Sequence, residues 1–307
     1  MEKIYDLIIA GSGPAGLTAG IYASRAELDC MVIEKNPISG GQIVNTYEVD
    51  NYPGIPGIGG YDLANRFREH CDKLNFPFTV GIVSDFRLDG DIKVLTLESG
   101  EVFRAKAIII ATGAVHRKLG IRGEEELAGR GVSYCATCDG AFFKNKVTAV
   151  VGGGDVAVED AVFLARLCKK VYVIHRRDEF RAAKSLVSKL NSYENVEIMW
   201  DSVVEAIDGT DYVEQIRVRN RNTKEEKAIE ADGVFIAVGT MPESAVYKDL
   251  VNMDDAGYIV ADETCATNIP GVFAAGDIRT KALKQIITAA ADGANAITAV
   301  EKYLNRM

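Results

Sequence analysis

Apolar residues gather in short β-branched runs, and these alternate with longer amphipathic or alanine-rich stretches along the whole chain. The clearest runs are residues 5–9, 31–33, 108–110, 147–151, 171–174 and 234–238. The short runs read as strands, and the stretches between them are compatible with helices. The alternation predicts βαβ units and a parallel sheet, so the fold class is α/β.

Two runs open in the same way. Residues 5–9 lead into a glycine-rich turn, and so do residues 147–151. Each has a later partner in which an apolar run ends at a small residue and glycine: Ile110-Ala111-Thr112-Gly113 for the first, Ile236-Ala237-Val238-Gly239 for the second. A third run, ending Ala274-Ala275-Gly276-Asp277, follows both and precedes an apolar, helix-like stretch over residues 286–303. The connections at 114–118 and 240–243 are short. This layout predicts two Rossmann-like dinucleotide-binding domains, the second inserted into the first: residues 1–115 and 242–307 form one, residues 116–241 the other. Three domains in a row fit less well, because the tail after Pro242 is short for a core of its own.

The first turn reads Gly11-Ser12-Gly13-Pro14-Ala15-Gly16 and stands between a strand and a helix-compatible run, where a dinucleotide fingerprint belongs. Gly11 makes the tight turn, Gly13 lets the backbone approach a pyrophosphate, and Gly16 lets helix pack on strand. The helix N-terminus adds N–H groups and a positive dipole. Glu34 closes the next apolar run, at the distance where a carboxylate accepts hydrogen bonds from an unphosphorylated ribose, as in FAD or NAD. A glycine turn without a ligand would not require this acid.

The second turn, Gly152-Gly153-Gly154-Asp155-Val156-Ala157, has Ala157 as its third small residue. After its next strand stand His175, Arg176 and Arg177, with Arg181 one turn further on, where the first module has Glu34. Guanidinium forks match an adenosine 2′-phosphate, so NADPH is expected here in place of NADH. A merely solvated basic face would not need this position.

Cys135-Ala136-Thr137-Cys138-Asp139 lies inside the inserted module. The spacing permits a small reversible disulfide ring, and in a cytosolic α/β protein such a pair reads as redox-active. Asp139 can act as acid and base for the thiol. A zinc knuckle needs two further ligands at suitable spacing, and with only His70, His116 and His175 and no second cysteine pair, no metal is expected. Cys30, Cys71, Cys168 and Cys265 read as small hydrophobes.

Composition narrows the class without changing it. With 307 residues, 48% hydrophobic and 26% charged, the chain has the balance of a globular protein of about two domains. A net charge of -9, with acids spread throughout, argues against a nucleic-acid or anionic-membrane surface. From the start at Met1-Glu2-Lys3 onward, no apolar run approaches the ~18 residues of a membrane span. A cytoplasmic location is expected.

Taken together, Gly11 to Gly16, Gly40-Gly41-Gln42, Asn51-Tyr52-Pro53-Gly54, the cysteine run, the second fingerprint, His175-Arg176-Arg177 and Gly276-Asp277 resemble the low-molecular-weight thioredoxin reductases over essentially the full chain. The resemblance implies FAD in the first module, with Glu34, Gly41, Gln42, Asn51, Thr112, Gly113 and Asp277 among its contacts and Lys284 and Gln285 near it. It implies NADPH in the second, held at Gly152, Gly154, Asp155, Ala157 and the basic cluster. It assigns Cys138 to the flavin side and Cys135 to attack on the disulfide of thioredoxin or a thioredoxin-like protein. It further implies a homodimer, and an inserted module that rotates on its connections so that nicotinamide and cysteines take turns at the flavin. Val156 and Lys284 depart from the family pattern, which commonly has serine and arginine there. Three alternatives are a flavin-to-ferredoxin reductase, a ferredoxin-fed disulfide reductase and a nucleotide sensor; the dithiol disfavours the first and third, the basic cluster the second.

Overall fold

The computed structural model describes residues 3–46 and 48–307; Met1, Glu2 and Tyr47 lie outside them. The chain divides into two compact units. One comprises Met1–Val44, Tyr52–Val115 and Met241–Met307, the other Asn45–Asn51 and His116–Thr240.

The first unit opens with strand β1 (Ile4–Ala10), helix α1 (Pro14–Arg25) and β2 (Cys30–Glu34). Then come α2 (Gly60–Lys73), β3 (Phe78–Val80), β4 (Val83–Asp89), β5 (Ile92–Leu97) and β6 (Val102–Ile110). Its seven-stranded sheet runs β3-β2-β1-β6-β5-β4. β1, β2, β3 and β6 pair in parallel, whereas β4, β5 and β6 form an antiparallel meander. Leu7, Ile9, Leu17, Val32 and Ile109 are wholly buried in one core and Ile8, Leu95, Ile108 and Ile110 in another, on opposite faces of one sheet. Successive residues of β1 and β6 thus serve both faces, which explains why these strands are apolar at consecutive positions. Each such side chain contributes ~1.5–3 kcal/mol of transfer free energy.

Strand β7 (Ala114–His116) leads to the second unit. There follow β8 (Val132–Ser133), the one-turn helix α3 (Ala136–Asp139), β9 (Val147–Gly152), α4 (Asp155–Ala165), β10 (Lys170–Ile174), α5 (Lys184–Leu190) and β11 (Val196–Met199). An antiparallel sheet of β12 (Ser202–Gly209), β13 (Val213–Asn220) and β14 (Glu226–Glu230) comes next, then β15 (Gly233–Ala237). The main sheet, β11-β10-β9-β15-β8, is parallel throughout.

The chain returns through β16 (Thr240–Pro242), which pairs with β7, so the two connections form a two-stranded ribbon. β17 (Val272–Ala274) then adds to β6, and α6 (Ile286–Leu304) packs on α1. The approach of α6 is close: a Cβ on Gly293 would stand 2.2 Å from the Ala15 carbonyl oxygen.

Candidate functional site

In the first unit the loop after β1 is shaped by its glycines. Gly11 has φ +104°, and a Cβ there would lie 2.4 Å from the Ala111 carbonyl oxygen; one on Gly16 would lie 1.9 Å from the Gly11 carbonyl oxygen. These two serve packing. Gly13 meets nothing nearer than the Gly40 carbonyl oxygen at 4.0 Å, which leaves its surface open to a ligand. Gly40 N–H donates to the Ser12 carbonyl at 2.8 Å, bringing Gly41 (φ +61°) within reach of Gly13. Helix α1 starts here with no side-chain cap on its first N–H groups. An anion is the natural partner for them.

Glu34 is held by the loop itself. Its Oε2 accepts from Ser12 N–H at 2.6 Å and from the Ser12 hydroxyl at 2.7 Å, and Oε1 accepts from Asn36 N–H at 3.0 Å. Sequence reading passed over Ser12, whose part becomes visible only when β2 lies beside β1. Gln42 donates its amide to the Ala114 carbonyl, and the Thr112 hydroxyl donates to the Glu243 carbonyl at 2.8 Å. Gly113 has φ +73° and open space around it. Asn51 groups with the second unit.

Asp277 sits in a turn over Gly276–Ile278, with Oδ1 buried and lacking a hydrogen-bond partner among the described residues. Burial pushes its carboxyl up, although Lys284 and Lys281 pull the other way. The turn is anchored by Asp292, whose Oδ2 accepts from Gly276 N–H at 2.8 Å, Arg279 Nε at 2.9 Å and Lys281 Nζ at 2.7 Å; Oδ1 accepts from Arg279 Nη2 at 2.8 Å. Burial alone would raise the Asp292 pKa, but Arg279, Lys281 and the Gly276 N–H outweigh it and hold the carboxyl below its ordinary value. Sequence reading missed this cluster; a lone acid in the alanine-rich run of α6 was its only signal. Gln285 caps α6, its side chain and that of Thr288 forming a reciprocal box, and Lys284 stacks its ammonium on the Tyr258 ring.

The second unit repeats the loop with different surroundings. A Cβ on Gly152 would meet the Ala237 carbonyl oxygen at 2.4 Å and the buried Ala157 at 2.6 Å, whereas Gly154 faces open space. Asp155 Oδ1 accepts from Ala183 N–H at 2.8 Å, and Arg181 N–H donates to the Gly153 carbonyl at 2.8 Å. Arg176, Arg177 and Arg181 are exposed. His175 is not with them. It is buried, its ring fills the place a Gly153 side chain would need, and it packs against Phe180 and Trp200. Burial holds it below the ordinary histidine pKa, and its Nε2 has no partner among the described residues.

Cys135 and Cys138 are joined in a disulfide, with Cα atoms 5.3 Å apart. Cys135 is extended and precedes α3, whose Cys138 and Asp139 N–H groups donate back to the Cys135 carbonyl at 3.3 and 3.1 Å. Gly140 seats this turn on Phe163 and Leu164 of α4. Asp139 Oδ2 accepts from the Ser133 hydroxyl at 2.6 Å, while Oδ1 is buried with no partner among the described residues. Burial raises the Asp139 pKa against the opposing hydrogen bond. A carboxyl so placed is suited to holding a proton beside a thiol. Among the described residues no group of three or more His, Cys, Asp or Glu could hold a metal ion, and no helix is long and apolar enough to cross a membrane.

Known proteins share this arrangement. Residues 5–293 match the family model described as pyridine nucleotide-disulphide oxidoreductase. The chain is 47% identical over 307 residues to a thioredoxin reductase of Listeria monocytogenes, covering 100% of this chain and 96% of that one. It is 44% identical to the thioredoxin reductase of Bacillus subtilis, with 100% and 96% covered. The crystal structure of thioredoxin reductase from Streptococcus pyogenes superimposes with a TM-score of 0.94 at 45% identity, covering 99% of each chain.

Proposed function

This chain belongs to the pyridine nucleotide-disulphide oxidoreductase family, among its bacterial-type thioredoxin reductases, and from that premise we propose how its residues divide the work. The activity is the NADPH-dependent reduction of thioredoxin through FAD.

Residues 1–115 and 242–307 hold FAD. Gly11, Gly13 and Gly16 bring the N-terminus of α1 to the pyrophosphate, Glu34 meets the adenosine ribose, and Gly41, Gln42, Thr112 and Gly113 complete the cradle. Asp277 offers its unpartnered buried oxygen to the ribityl hydroxyls, which supports the fit. Lys284 and Gln285 stand at the start of α6, where Gln285 fixes the helix N-terminus. Residues 116–241 hold NADPH, with Gly152, Gly154, Asp155 and Ala157 forming the loop and Arg176, Arg177 and Arg181 meeting the 2′-phosphate. His175, neutral in its buried place, supports that loop from beneath. A flavin held by these residues would supply two-electron redox chemistry between a nicotinamide and the cysteine pair.

The observation that carries the cysteine assignment is the Cys135–Cys138 disulfide beside a carboxyl with a free buried oxygen. Once that bond is reduced, the Cys135 thiolate attacks a sulfur of thioredoxin and the other thioredoxin sulfur leaves as thiolate. Cys138 then attacks Cys135, releasing thioredoxin as a dithiol and re-forming the disulfide. Asp139 supplies and removes the protons, so two electrons and two protons reach the substrate. Four buried free thiols fit a reducing, cytoplasmic setting, and family likeness supports a homodimer.

The test uses alternative acceptors. Cys135→Ser and Cys138→Ser should each abolish NADPH oxidation with thioredoxin while a small dye remains reducible, since the dye takes electrons without passing through sulfur. Either variant reducing thioredoxin at the parent rate would remove the pair from the mechanism.

A further inference from the structure

The tip of the β13–β14 hairpin lies against the loop that carries Arg176 and Arg177. Arg221 Nη1 donates to the Arg176 carbonyl at 2.9 Å, and Arg221 N–H donates to the Asp201 carbonyl at 2.6 Å. Asp201 N–H in turn donates to the Arg177 carbonyl at 3.0 Å, and Ser202 N–H to the His175 carbonyl at 2.9 Å. Three successive carbonyls of the basic loop are therefore fixed by residues distant in sequence. Lys224 Nζ donates to the Arg221 carbonyl at 2.7 Å, adding its charge to the same tip.

Charge pairing separates this tip from the rest of the hairpin. Arg217 is paired with Asp208 at 3.0 Å, and Arg219 is paired with Glu205. Among the described residues, none of Arg176, Arg177, Arg181, Arg221 and Lys224 forms an ion pair with a carboxylate. The Arg221 guanidinium therefore lies at the Arg176 backbone, where it adds positive charge to a loop that an anion would favour.

We propose that Arg221 is a specificity-determining residue for the 2′-phosphate of NADPH, positioning Arg176 through its carbonyl and adding a cation to the phosphate's surroundings. This rests on the placement of that phosphate at Arg176, Arg177 and Arg181. The site is then built from two separate parts of the unit, the loop after β10 and the hairpin tip.

Arg221→Met keeps most of the apolar stem and removes the fork. The ratio of kcat/KM for NADPH to that for NADH should fall about fivefold, the upper range for an exposed charge contact, and the fall should shrink as salt is raised. Direct titration of the holoenzyme should show weaker binding of 2′,5′-ADP relative to 5′-AMP by a similar factor, and Arg221→Lys should recover part of the loss. A role in folding alone would weaken both nucleotides together and leave the ratio unmoved, which would overturn the proposal. Arg176→Ala with Arg177→Ala is the control. If that pair fails to alter the preference, the placement of the phosphate is wrong; if it alters the preference and Arg221→Met does not, only the role of Arg221 is lost.

Discussion

Ser133 donates its hydroxyl hydrogen to one oxygen of Asp139 at 2.6 Å, and the other oxygen is buried with no partner among the described residues. The single donor does not compensate for burial, so the carboxyl favours its neutral form. Asp139→Asn should cut thioredoxin reduction roughly 10²-fold, the lower range for losing a general acid, while leaving flavin reduction by NADPH intact in stopped-flow traces. The stability effect has the opposite sign. A raised folded pKa contributes stability below the ordinary carboxylate pKa and loses it as pH rises through the raised value. The variant should therefore melt higher than the parent at neutral pH, with the difference closing toward pH 4.

Ser133→Ala removes the one side-chain hydrogen bond to the Asp139 carboxylate among the described residues, so the pKa of Asp139 should rise further. The limb of the pH–rate profile that reports this acid should move to higher pH, measured with thioredoxin in excess. A profile that stays in place would separate Asp139 from the rate-determining proton transfer.

Asp292 is compensated where Asp139 is not. Asp292→Ala would leave Arg279 and Lys281 buried without a counter-charge and should cost ~3–5 kcal/mol. It should also free the Gly276–Asp277 turn, so FAD should dissociate faster, read as the rise of free-flavin fluorescence on dilution. A folded pKa below the ordinary value contributes stability above that ordinary value and loses it as pH falls through the lowered one. The destabilisation of Asp292→Asn should accordingly be largest at neutral pH and smaller in acid.

Gly153 and Gly154 differ in what lies beside them. A Cβ on Gly153 would meet the His175 ring at 2.2 Å, so Gly153→Ala should destabilise the protein by ~1–3 kcal/mol, the usual range for overpacking, and should raise KM for NADPH. The Cβ of Gly154→Ala would meet nothing within 4 Å among the described residues beyond its chain neighbours, so the change should raise KM for NADPH with little change in Tm. Neither substitution should alter FAD content, measured by absorbance.

The glycine loops and the cysteine turn could be read from the sequence because each is local: strand, turn and helix follow one another, and Cys135 and Cys138 close a single short turn. The place of His175 was not legible, for the opposite reason. It shares a motif with Arg176 and Arg177, but alternation along the end of β10 turns its ring inward beneath Gly153. Ser12, Arg221 and Asp292 meet their partners through strand pairing or helix docking across long stretches of chain, and no spacing rule reaches that far.

The division of the first unit sets an order on synthesis. β6 waits for β17, and the apolar face of α1 waits for α6, both of which follow the inserted unit in the chain. The inserted unit, by contrast, has all its strands once residue 240 has been translated. On the ribosome the divided unit therefore closes after the inserted one, holding its exposed apolar surface until α6 arrives, and interruption of translation before α6 would leave one finished unit attached to an unfinished, aggregation-prone one.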